Sequence, residues 1–113
     1  LMIRKETTIN IYSNYKVILL YCDYKDVCKF FKNKVKDEIK ETGGLTCTFP
    51  DLFKSYIWIN TKAPHKQSTL VHEACHVSLD ICKILNIKEI EYNQEPFAYL
   101  VDYIFEKFYK HIV

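Results

Sequence analysis

Between Leu70 and Leu85 the chain carries a helical signature that also divides the helix into two chemically different sides. At roughly 100° per residue, Leu70, Val71, Ala74, Val77, Ile81, Ile84 and Leu85 fall on one apolar arc, while His72, Glu73, His76 and Asp80 gather opposite it. A helix built this way has to bury the first side against the rest of the fold. The second side then carries the two histidines and the glutamate of the sequence His72-Glu73-Ala74-Cys75-His76.

Residues four apart lie one turn along the same helix face, so His72 and His76 aim two imidazoles at one point. Two neutral imidazoles and a carboxylate are the three-ligand set of catalytic zinc, which leaves a fourth position to water. Glu73 stands beside that position as a general base able to take the proton of an attacking water. Cys75 lies about 100° round the helix from His76, towards the apolar arc, and is not expected to be a ligand. Read without a metal, the same segment is a surface helix with two solvated histidines.

The 113 residues, 49% hydrophobic, support one compact domain spanning 1–113 and leave no room for a second. A net charge of +2 gives no strong electrostatic case for nucleic acid or an anionic membrane. Apolar runs such as Val17 to Tyr21 are too short to span a bilayer, and the N-terminus lacks the pattern of a secretion signal. Five cysteines without a CxxC pair suit a reducing compartment, so a cytoplasmic location is expected.

Two β-prone runs, Thr7 to Tyr12 and Lys16 to Cys22, flank Ser13-Asn14-Tyr15 and predict a hairpin. Helical spacing of Val27, Phe30, Phe31, Val35 and Ile39 predicts a helix from Asp23 or Tyr24 to about Glu41, decorated by Lys29, Lys32, Lys34, Lys36 and Lys40 and stopped by Gly43-Gly44. Acidic residues interrupt these lysines, so a solvated face is preferred to a nucleic-acid surface. Leu45 to Phe49 reads as a short strand, Pro50-Asp51 as a turn and Lys54 to Asn60 as a clear strand. Ser68 or Thr69 is the expected N-cap of the motif helix, and Asn86 its left-handed stop. Asn93 caps a last helix that tolerates Pro96 in its first turn and runs to about Lys110. This order predicts an α+β fold with a small, mostly antiparallel sheet and three helices.

Glu95 opens that last helix, on a stripe with Tyr99, Asp102 and Glu106 that alone reads as a solvated acidic face. Asp80, one turn beyond His76, competes with it for a third ligand position. The arrangement His-Glu-x-x-His, eighteen further residues and Glu95 resembles the gluzincin class of zinc metallopeptidases, and the outline resembles its minimal members, the minigluzincins. The segment Glu95-Pro96-Phe97-Ala98-Tyr99-Leu100 is also similar to small His-Glu-x-x-His proteins encoded by bacteriophages. The resemblance covers roughly Ser55 to Lys110 and implies a zincin-like fold binding Zn2+ through His72, His76 and Glu95, with Glu73 as base. Many gluzincins place an aspartate four residues after the glutamate ligand, where this chain has Tyr99, so Asp80 or Asp102 is left to orient the ligands.

The expected activity is hydrolysis of a peptide or protein substrate lying along an exposed sheet edge at Tyr56, Ile57, Trp58, Ile59 and Asn60. Tyr92, Tyr99, Tyr103, His65 and His111 are candidate donors to the oxyanion. The rival expectation is an inert zinc-binding phage structural, cargo or host-interaction protein, in the host cytoplasm or the virion, for which the same edge serves self-association. A nucleic-acid-associated regulator using the lysines of the first helix ranks third.

Overall fold

A computed structural model describes residues 1–10, 14–87 and 94–113. Four strands form one mixed sheet: β1 (Ile3–Ile9), β2 (Tyr15–Cys22), β3 (Gly44–Phe49) and β4 (Lys54–Asn60), in the order β1-β2-β4-β3. The helices are α1 (Tyr24–Phe31), α2 (Lys66–Ile84) and α3 (Glu95–Phe108). The α+β class expected from the sequence is therefore observed. Two of the three strand pairings are antiparallel, and β2 runs parallel to β4.

Strand alternation sorts the core into two layers. Val17 and Leu19 of β2 and Ile57 and Ile59 of β4 face α2 and α3, where they meet Leu70, Ala74, Val77, Ile81, Leu100, Ile104 and Phe108. Their neighbours Ile18, Leu20, Tyr56 and Trp58 face the other way, onto Val27 and Phe31 of α1. Because both faces of the sheet are covered, β2 and β4 read as nearly continuous apolar runs. Trp58 is fully buried, and its indole Nε1 donates to Cys22 O at 3.0 Å.

The predicted hairpin forms, although β1 starts at Ile3 rather than Thr7; Tyr12 and Ser13 lie outside the described residues. Asp23 caps α1 by accepting from Asp26 N at 2.9 Å. That helix ends at Phe31, not near Glu41. The end of β2 and the start of β3 lie at the same end of the sheet, since Cys22 pairs with Asn60 and Gly44 with Ile59. A single helix to Glu41 would carry the chain about 27 Å away, at 1.5 Å per residue, so the connection has to double back. Val35 and Ile39 still pack on the second core, outside any helix, and Tyr24 OH donates to Ile39 O at 2.6 Å. Of the five lysines assigned to this helix Lys29 lies on it and Lys32 is its C-cap, while Lys34, Lys36 and Lys40 lie beyond it.

All five cysteines are free, Cys22 and Cys82 fully buried. Burial, with the charges of Asp26 and Asp23 adding to it, pushes the Cys22 thiol up to about 11. Burial also raises the thiols of Cys47 and Cys82, which lowers the share of thiolate at all three. Among the described residues no helix is long and apolar enough to cross a membrane.

Helix α2 starts at Lys66 with His65 in the cap position, and the hydroxyls expected to cap it, Ser68 and Thr69, instead bond back to His65 O. Its other end matches expectation. Asn86 takes a left-handed φ of 55°, Ile87 N donates to Cys82 O, and Asn86 N donates to Lys83 O, which together close a Schellman motif. Asn93, the expected cap of α3, lies outside the described residues, while Pro96 sits in the first turn as expected. Replacement of Asn86 by Ala is expected to cost about 1 kcal/mol of unfolding free energy, because a Cβ-bearing residue without the Asn side chain resists this conformation; Asn86→Gly should keep or raise the urea midpoint.

Candidate metal centre

The site is built where α2 lies across β3 and β4. Gly44, Thr46 and Thr48 alternate onto the α2 face of β3, paired with Ile59, Ile57 and Ser55 of β4. At Gly44 a Cβ would stand 2.8 Å from Thr69 Cγ2, 2.9 Å from Trp58 O and 3.4 Å from Glu73 Cγ. Any larger residue would force the Thr69 side chain or the Trp58 carbonyl to shift. Glycine is what allows Thr69 and the Trp58 carbonyl to stand this close, with Glu73 just beyond them.

The helix is rolled further than its apolar arc suggested. Val71, assigned to that arc, is 39% exposed, whereas Glu73, assigned to the polar side, is only 7% exposed. The angles explain the difference: Glu73 and Asp80 sit only about 60–80° from Leu70, at the border of the buried arc, whereas His76 and His72 lie about 120° and 160° away. The border residues therefore meet the two β3 threonines. Thr46 Oγ1 lies 3.0 Å from Glu73 Oε1 and 3.2 Å from Glu73 O, and Thr48 Oγ1 donates to Asp80 Oδ2 at 2.7 Å. The histidines stay exposed.

Their ring nitrogens converge. His72 Nε2 and His76 Nε2 are 3.2 Å apart, with the rings edge to face at a centroid distance of 4.8 Å. Two nitrogens bound to one tetrahedral zinc at 2.0–2.1 Å are separated by about 3.3 Å. The pair thus has the spacing that a shared cation requires. A small pocket of about 280 Å³ gathers Gly44, Leu45, Thr46, His72, Glu73, His76 and Asp80.

The other residues singled out from the sequence lie elsewhere. Glu95 is exposed at the start of α3 and is not among the residues lining this pocket. Among the described residues no three His, Cys, Asp or Glu side chains stand together as a set able to hold a metal ion. Tyr99 and Asp102 line a different groove, with Thr8, Ile9, Asn10 and Tyr103, at the β1 side. Tyr103 OH donates to Thr8 O at 3.3 Å and lies 3.1 Å from Thr7 Oγ1. His111 keeps its imidazole below the usual range through burial and the charges of Lys5 and Lys110, at the far end of the chain. Tyr92 lies outside the described residues. Cys75 faces Phe97, Val101 and Phe105 of α3, away from the histidines, as expected.

One expectation about geometry is corrected. Tyr56 to Asn60 do not form an edge, since β4 is hydrogen-bonded to β2 on one side and β3 on the other. The strand that borders both the pocket and the outside of the sheet is β3. Sequence alone placed the apolar run of β4 correctly but could not rank it within the sheet. Thr46, Thr48 and Gly44 were not singled out; their period of two, small and polar opposite a motif helix, was the available signal.

Compared with protein-family models, curated proteins and solved structures, the chain matches none. The site therefore rests on its own geometry. Thr46→Val removes the hydroxyl that meets the Glu73 carboxylate in a nearly buried position. It is expected to lower unfolding free energy by about 1–3 kcal/mol at neutral pH, read from urea denaturation beside Thr46→Ser, which should lose less.

Proposed function

We propose that this chain is a zincin-like, zinc-dependent peptidase of the gluzincin type. The observation that supports this most is the 3.2 Å separation of His72 Nε2 and His76 Nε2, with the Glu73 carboxylate beside them in one pocket. His72 and His76 are the two nitrogen ligands, and Glu95, from the helix packed against α2, is the third ligand that the resemblance implies. When bound, zinc supplies a Lewis acid for the scissile carbonyl and a water of lowered pKa.

Glu73 performs the proton transfers. Its carboxylate is held by the Thr46 hydroxyl, so it is oriented before substrate arrives. It takes a proton from the attacking water and returns it to the leaving nitrogen. The outer edge of β3 offers main-chain donors and acceptors to an extended peptide, which would pass directly over the pocket. This replaces β4 as the docking strand.

One feature favours the rival reading, an inert zinc-binding structural or host-interaction protein. The pocket of about 280 Å³ lies at the low end of ligand sites and encloses little of a bound peptide. Glu73 points the other way, because a purely structural site has no need of a carboxylate beside an open position.

Elemental analysis of purified protein is expected to find about one zinc per chain, lost in His72→Ala and Glu95→Ala and retained at saturating zinc in an Asp80 variant. A peptide library should then be cleaved by the wild type and not by Glu73→Gln. Zinc without cleavage would support the inert reading, and a wild type that takes up no zinc under non-stripping conditions would remove both.

A further inference from the structure

A line of hydroxyls runs from the centre of the core to the histidine pocket. Tyr15 OH lies 2.6 Å from Ser55 Oγ, Ser55 Oγ lies 2.7 Å from Thr48 Oγ1, and Thr48 Oγ1 donates to Asp80 Oδ2 at 2.7 Å. The line crosses β2, β4 and β3 in turn and ends on α2. Tyr15 and Ser55 have no exposed surface at all.

Proton counting gives the line a direction. An ionised carboxylate only accepts, so the single proton of Thr48 is committed to Asp80. Thr48 can then only accept from Ser55, and Ser55, its own proton used, can only accept from Tyr15. Every proton points towards Asp80. The three distances, 2.6, 2.7 and 2.7 Å, are those of well-formed O–H···O hydrogen bonds, so the line is continuous.

We infer that Tyr15, Ser55 and Thr48 are positioning residues that lock the Asp80 carboxylate onto the wall of the His72/His76 pocket, where it strengthens the binding of a divalent cation. The inference rests on the metal reading of the histidine pair and adds a role for four further residues. Asp80 stands one turn beyond His76 and lines the same pocket, and the threonine bond fixes one carboxylate oxygen against β3. A negative charge held there attracts a cation on the histidines without being counted among its three ligands. The placement also accounts for an otherwise costly choice. Hydroxyls at Tyr15 and Ser55 sit in a layer of Val17, Leu19, Ile57 and Ile59, where apolar residues of similar shape would pack with no partner to find.

The test uses the full-length protein, with zinc and cobalt(II) as probes, read by chelator competition and by the cobalt ligand-field spectrum. Asp80→Asn keeps the shape and removes the charge, and is expected to weaken zinc binding at least about tenfold. Thr48→Val is expected to weaken it by a similar factor, with Thr48→Ser restoring most of the loss. The double variant Thr48→Val/Asp80→Asn should bind no more weakly than Asp80→Asn alone, since both act through one carboxylate. Melting of the metal-free proteins reports the structural cost separately. Wild-type affinity in Asp80→Asn or Thr48→Val, or additive losses in the double variant, would overturn the inference while leaving the histidine site intact. A wild type that binds neither ion overturns it together with the metal reading, and does so in the first titration. If Thr48→Val fails to fold, Asp80→Asn and Thr48→Ser decide.

Discussion

Strand β4 has a hydrogen-bonded neighbour on each side and a covered face above and below. Six of its seven residues are buried, and each element of the fold touches it or touches something that does. Ser55, Ile57 and Ile59 receive α2; Tyr56 and Trp58 receive α1 and the returning chain after it. A strand in this position tolerates no slip, because a shift of one residue would exchange its two faces and bring Trp58 under α2. That registration sets where β3 lies, and β3 sets what α2 can touch.

The second constraint is the closeness of α2 to that sheet corner. Gly44 allows Thr69 and the Trp58 carbonyl to stand close, and the roll of the helix puts Glu73 and Asp80 against two threonines while leaving the histidines outside. The result is a division of labour along one helix. Residues on its border are fixed by the sheet, and residues one step further round remain accessible to a ligand. Nothing in this arrangement needs a deep cleft, since rigidity comes from the strand underneath.

Much of this was legible in the chain, and the failures have physical causes. The strand Lys54–Asn60, the cap at Asn86 and the helical patterns of α2 and α3 depend on local periodicity and backbone preference, which a sequence carries openly. The end of α1 does not. Val35 and Ile39 keep helical spacing from Phe31, yet the chain must return to Gly44 at the end of the sheet it left, and that requirement is set by topology. Glu73 is a similar case: a residue at the border of an apolar arc can go either way, and its partner Thr46 and the small Gly44 beside it come from a strand distant in sequence. The histidine pair was evident from spacing alone, whereas the hydroxyl line could not have been, because its members are far apart in the chain and meet only through the pairing of β2, β4 and β3.

That pairing has a consequence in time. The β1–β2 hairpin and the β3–β4 hairpin close over short stretches of chain, but the parallel seam between them joins Lys16 to Lys54 and Cys22 to Asn60. Closing such a separation costs chain entropy before any contact offsets it, so the seam is expected to form more slowly than either hairpin. Tyr15 lies on one side of that seam and Ser55 and Thr48 on the other. The Thr48–Asp80 bond needs only β3 and α2, but the line behind it is complete only once the seam has closed and Tyr15 has reached Ser55, so the last link of the pocket's support depends on the longest-range pairing in the sheet.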